Sequence, residues 1–97
     1  MFAIAVRFDL PDEASARAFD ELVERTVPGI LAEEPGTLTY VPHRVEGEPL
    51  ARLFYEEYAD RAAHAAHEAR PATAEFLRRV GELITSARAE LLTPLGG

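Results

Sequence analysis

The sequence predicts an α+β domain of ferredoxin-like order, β-α-β-β-α-α-β, with a four-stranded antiparallel sheet that carries its helices on one face. Three observations predict it. The chain opens on a two-residue alternation, Phe2, Ile4, Val6 and Phe8 against Ala3, Ala5 and Arg7. That is the period of a strand. Apolar stripes at helical spacing recur in residues 18–26 and 76–84. Between them, two β-prone runs flank a Glu46-Gly47-Glu48-Pro49 turn, the pattern of a hairpin.

The elements follow in order. Strand one spans Phe2 to Phe8 and is broken by Leu10-Pro11-Asp12. Asp12 can cap the first helix, whose apolar face is Ala18, Phe19, Leu22, Val23 and Thr26. Pro28-Gly29 is expected to kink or break that helix. Ile30 and Leu31 resume it, and Glu34-Pro35-Gly36 ends it. Strand two runs from Thr37 to Val45, with Pro42 inside it, which calls for an edge position or a bulge. Strand three runs from Ala51 to Tyr58. Asp60 can cap a short helix from Arg61 to Ala69. Arg70-Pro71 interrupts it, and a third helix presents Phe76, Leu77, Val80, Leu83 and Ile84. Ala87 to Leu95 reads as the last strand, before a tail of Gly96-Gly97.

With 97 residues, the chain reads as a single domain, residues 1–97. A core this small often needs help from disulfides, metals or oligomerisation. Cysteine is absent, so disulfides and thiolate chemistry are excluded. The net charge of −7, from 17 acidic and 10 basic residues, speaks against nucleic acid and polybasic membrane docking. Every basic residue is Arg, and Asn, Gln and Trp are missing, a bias expected of a GC-rich bacterial genome. No segment is apolar and long enough to cross a bilayer, and the first ten residues lack signal-peptide character. The expected location is cytoplasmic. Apolar side chains fall on both faces of the predicted strands, for example Leu53 and Tyr55 against Phe54 and Tyr58. Two such faces predict sheet-on-sheet packing in a homodimer.

Two segments stand out together: Glu34-Pro35-Gly36-Thr37-Leu38-Thr39-Tyr40, and Phe54-Tyr55-Glu56-Glu57-Tyr58-Ala59-Asp60 continuing through Ala63 to His67. Their pattern, E-P-G-T-L-x-Y then F-x-E-x-Y-x-D-x-x-A-x-x-x-H, resembles the antibiotic biosynthesis monooxygenase family of dimeric α/β-barrel proteins. The resemblance implies a ferredoxin-like homodimer whose sheets face each other, with a pocket between sheet and helices in each subunit. It implies oxidation of an aromatic phenol, quinol or anthrone by O₂, with no cofactor and no metal. The alternative is a non-catalytic dimeric barrel that binds a hydrophobic metabolite or acts in stress response. Haem breakdown is disfavoured, because that branch relies on Asn, Trp and a late His, and this chain has no Asn, no Trp and no His beyond His67.

The resemblance places the family's helix-two histidine at His67. An imidazole titrating near neutrality can take a proton from a phenol. Equally, His67 could only hydrogen-bond Glu56 or a backbone carbonyl and fix the helix. Glu56 shares a strand face with Phe54 and Tyr58; it either orients His67 or forms a salt bridge to Arg52 or Arg7. Tyr40, Tyr55, Tyr58, Phe54 and His43 are candidates to line a pocket for a flat aromatic ligand, against ordinary sheet packing for each of them. His64, His67 and Glu68 have spacings that can hold a metal, but no convincing third ligand comes from elsewhere in the chain.

Overall fold

The computed structural model describes residues 1–96; Gly97, the end of the glycine tail and of the expected domain, lies outside the described residues. The elements are β1 (Phe2–Asp9), α1 (Glu13–Glu33), β2 (Thr37–Val45), β3 (Glu48–Tyr58), α2 (Arg61–Ala69), α3 (Pro71–Leu83) and β4 (Ser86–Leu92). The order is the one the sequence predicts. The strands form one four-stranded sheet in the order β2-β3-β1-β4, and every neighbouring pair is antiparallel.

The alternation of β1 decides which residues enter the core. Phe8 on β1 and Phe54 on β3 share a face, and Phe19 of α1 packs on both, with ring centroids 5.4 and 5.8 Å away. Phe8 and Phe54 themselves stand 4.9 Å apart, nearly edge on. Tyr40 of β2 joins them, and Phe76 and Val80 of α3 close the cluster. Each ring buried this way contributes about 2–3 kcal/mol. All three helices therefore lie over the same sheet face.

Caps set the helix starts. Asp12 accepts from the Ser15 amide and Asp60 from the Ala63 amide, each at 2.8 Å. These bonds satisfy donors the first helical turn leaves free.

Two local expectations are corrected and a third is met. First, α1 runs unbroken through Pro28 for 21 residues. Proline removes the bond to the carbonyl four residues back, that of Glu24, and both Glu24 and Pro28 lie on the exposed side where water can serve that carbonyl. Ile30, buried at 3% exposure, holds the last turns down. Second, plain alternation along β2 would put Leu38 on the same face as Tyr40, and the structure does not. The register steps from Thr37–Tyr58 to Thr39–Glu57, so Leu38 is the extra residue of a bulge and stands 55% exposed while Tyr40 is buried. Third, Pro42 sits on the edge strand as expected and pairs normally with Phe54; the irregularities fall on either side of it.

The second face of the sheet carries Val41, Leu53 and Tyr55 among charged pairs such as Arg7–Glu48, whose nitrogen and oxygen stand 2.8 Å apart, and Arg88–Glu90. Among the described residues, no helix is long and apolar enough to cross a membrane.

Candidate functional site

The cleft that matters is built where α2 leaves β1 and β4 uncovered. Its apolar side comes from Ile4, Val6, Ala89 and Leu91 of the sheet and Leu77 of α3; its polar side comes from Tyr40, Glu56 and three residues of α2, His64, His67 and Glu68. Its volume is about 310 Å³, enough for a small aromatic molecule.

His67 is held from behind by a carboxylate the sequence reading passed over. Its Nδ1 lies 2.7 Å from Oε1 of Glu34, and both side chains are only 6% exposed. Glu34 follows directly on α1, and its own amide bonds back to Ile30. The hydroxyl of Thr37 donates to the same Oε1 at 2.7 Å, and Arg70 donates to Oε2. Arg70 also bonds Glu33. Burial alone would push Glu34 up, but the bonds from Thr37, Arg70 and His67 outweigh it and hold the carboxyl below its ordinary range. An ionised carboxylate only accepts hydrogen bonds, so Nδ1 of His67 carries the proton. The other ring nitrogen, Nε2, has no hydrogen-bond partner among the described residues.

Gly36 makes this meeting possible. Its carbonyl accepts from the Ala59 amide, and a Cβ at Gly36 would stand 2.6 Å from the Cβ of Ala63 on α2. Only glycine lets the start of β2 lie this close to α2. The two recognisable segments of the sequence are thus in contact, the first supplying the acid and the second the imidazole.

Glu56 is not the orienting partner of His67, nor is it paired with Arg52 or Arg7. It accepts from the hydroxyl of Tyr58 at 2.5 Å. Arg52 is taken by Asp20, and Arg7 by Asp9 and Glu48. Burial, only partly offset by the Tyr58 bond and by His67, pushes the Glu56 carboxyl above its ordinary range. The two carboxyls nearest His67 are therefore shifted in opposite directions, Glu34 behind it down and Glu56 in the cleft wall up.

Three polar atoms are left for a ligand. Tyr40 is buried, its ring 5.5 Å from that of His67, and among the described residues its hydroxyl has no bonding partner. Among the described residues, the one buried side-chain nitrogen or oxygen that is sealed off without a partner is Oγ1 of Thr73. Among the described residues, the Tyr40 hydroxyl, Nε2 of His67 and the second oxygen of Glu56 are neither bonded nor sealed, and all three residues line the cleft.

The remaining expected site residues lie elsewhere. Tyr58 is fully buried beneath the cleft, its ring packed on His64 and His67. Phe54, 1% exposed, belongs to the central core. Tyr55 is on the opposite sheet face and donates to Glu57. His43 is exposed, with Nδ1 3.2 Å from the Leu53 carbonyl, beside a separate groove of about 370 Å³ between α1 and the hairpin. That groove is larger than the cleft, but its buried Arg52 spends its donors on Asp20 and the carbonyls of Pro49 and Ala51. His64 stands 3.6 Å from Glu68; among the described residues no three His, Asp or Glu side chains gather as a metal site. Leu77, Glu68 and the β4 residues were missed because their role depends on how far α2 and α3 extend across the sheet.

Fold and cleft together define a ferredoxin-like α+β protein with a histidine-based cavity between sheet and helices. The family model for antibiotic biosynthesis monooxygenase matches residues 1–79, and the chain belongs to that family. Among solved structures it is similar to an antibiotic biosynthesis monooxygenase, with 19% identity, TM-score 0.87, and coverage of 98% of this chain and 99% of that one. It is similar to Rv0793 from Mycobacterium tuberculosis, with 24% identity, TM-score 0.86 and coverage of 97% and 94%. It is also similar to a variant of SnoaB, a cofactor-independent oxygenase from Streptomyces nogalater, with 17% identity, TM-score 0.83 and coverage of 97% and 92%. At these identities the likeness speaks for the fold. No curated protein matches the chain.

Proposed function

We propose that this protein is a cofactor-independent monooxygenase that oxidises a small aromatic phenol, quinol or anthrone with O₂. The observation that carries the reading is an imidazole with a free Nε2, backed by an ionised carboxylate and facing a largely apolar cleft. Nε2 of His67 takes the phenolic proton, and the Tyr40 hydroxyl holds the oxygen that loses it. The resulting anion gives one electron to O₂, forming superoxide and a phenoxyl radical, which recombine at a ring carbon. Loss of water leaves a carbonyl. In sum, phenol and O₂ give quinone and water, and the substrate supplies all the electrons. The protein orients, deprotonates and excludes bulk water.

A homodimer belongs to the same reading. Leu38, Val41 and Leu53 stand 55%, 43% and 36% exposed in one chain, and a second sheet would cover them. Sedimentation showing only single copies at micromolar concentration would refute the dimer.

The activity is tested by oxygen uptake with a panel of quinols, anthrones and naphthols. Wild type is expected to turn over at least one of them, and His67→Ala to lose roughly 10²–10⁴-fold in rate. Tight binding without oxygen uptake on any of them would make the chain a binding module instead.

A further inference from the structure

No permanent cation lines the cleft. None of its lining residues is Arg, and the chain has no Lys. Arg70, the nearest on the far side of His67, is engaged by Glu33 and Glu34. The guanidinium of Arg61 sits over the Phe2 ring at 4.4 Å, outside the lining, although it reaches His64 electrostatically. The charged groups that face the cleft are carboxyls: Glu56 in its wall and Glu68 at its rim, with the latter's side chain 58% exposed and 3.6 Å from His64. The protein's own acids register this surrounding. Burial and then the neighbouring carboxylates Glu56 and Glu34 push the Tyr40 hydroxyl up, and Glu68 and Glu34 add to the burial that raises Glu56.

We propose that the cleft admits only un-ionised aromatic ligands, with Glu68 as the residue that sets this selection, so that hydroxyl-bearing rings enter and their carboxylate, sulfate or phosphate counterparts are rejected. The proposal takes the cleft as the substrate site from the function proposed above. The chemistry and the electrostatics agree. A neutral phenol brings the proton that turns His67 into a cation, so the phenolate forms only as half of an ion pair and the net charge of the cleft is unchanged. A ligand that arrives ionised brings no such proton. It adds an uncompensated negative charge beside Glu68 in a partly desolvated space, where like charges repel far more than in water.

The test compares 2-naphthol with 2-naphthoate, the same ring with and without the charge, near pH 7 and without oxygen. Binding is followed through the imidazole resonances of ¹⁵N-histidine-labelled protein, which carries only three histidines. His64 and His67 report on the cleft, and His43, in the other groove, serves as the control. Naphthol is expected to bind roughly tenfold tighter or more, shifting His64 and His67. Glu68→Arg is expected to shrink the ratio severalfold by strengthening naphthoate, with Glu68→Gln in between. Both changes are on an exposed helix position and leave the core intact. Equal or tighter binding of naphthoate, a ratio indifferent to Glu68→Arg, shifts at His43 alone, or no binding of either ligand would each overturn the proposal. Oxygen uptake is read separately. A protein that discriminates this way but consumes no oxygen keeps the charge selection and loses the oxygenase function; one that oxidises naphthol yet binds naphthoate equally well does the reverse.

Discussion

Glu34 and His67, 33 positions apart in the chain, meet at 2.7 Å with both side chains almost closed to solvent. The contact joins the end of α1 to α2 and gives the imidazole a defined tautomer. It also makes Glu34 answerable to mutation in two ways. Glu34→Gln keeps the shape, but it strips Arg70 of a charged partner and His67 of its carboxylate. A loss of about 1–3 kcal/mol is expected in urea unfolding at neutral pH. The folded Glu34 sits below its ordinary range, so its contribution is present above that range and is lost as pH falls through the folded value. The variant should therefore show a flatter acid limb in its stability curve than wild type.

Glu56→Gln should act in the opposite sense. The Glu56 carboxyl is raised in the folded state, chiefly by burial, so wild type loses stability as pH rises through the folded value. Glutamine keeps an acceptor for the Tyr58 hydroxyl and carries no charge. The variant is expected to melt higher than wild type at pH 7 and to converge with it in acid. A lower melting temperature at pH 7 would contradict this view of Glu56.

Gly36→Ala tests the close approach of β2 to α2. The added Cβ meets Ala63 at 2.6 Å, and the helix must move. Overpacking of this kind costs about 1–3 kcal/mol. The same displacement pulls His67 from Glu34, so activity should fall as well as stability. Adding Ala63→Gly should recover part of both, less the roughly 1 kcal/mol that glycine costs inside a helix.

Thr73 is 2% exposed, and its Oγ1 has no partner. Thr73→Val keeps the branched shape and removes the unsatisfied hydroxyl. A gain on the order of 1 kcal/mol is expected in thermal or urea unfolding, with no change in ligand binding. A clear loss would mean that the hydroxyl has a partner in solution.

Much of this was legible in the sequence because one-dimensional periodicity maps directly onto faces. The alternation of Phe2, Ile4, Val6 and Phe8 and the stripe of Phe76 and Val80 gave strand and helix with the right inward sides. Asp60 and Pro71 marked their helix starts through caps and ring geometry. Pro28 misled because a proline inside a helix is tolerated when the carbonyl it frees faces water. Leu38 misled because a bulge shifts alternation by one residue and leaves no mark in composition. Among the residues that type and motif single out, His67 and Tyr40 line the cleft. Glu34 was quoted within its motif but taken only as the end of a helix, since a partner 33 residues away along the chain has no local signature. Glu56 is expected from its strand face either to orient His67 or to pair with Arg52 or Arg7; the fold instead bonds it to Tyr58 and sets Glu34 against Nδ1 of His67.

The most direct measurement is the tautomeric state of His67 by ¹⁵N–¹H correlation NMR near pH 7.5, in wild type and in Glu34→Gln. The expected result is a proton on Nδ1 and a bare Nε2 in wild type, with Nε2 the atom perturbed when 2-naphthol binds and the Nδ1 signature altered in the variant. A proton on Nε2 instead, or a His67 spectrum indifferent to both ligand and Glu34→Gln, would contradict the assignment of His67 as the base of the cleft.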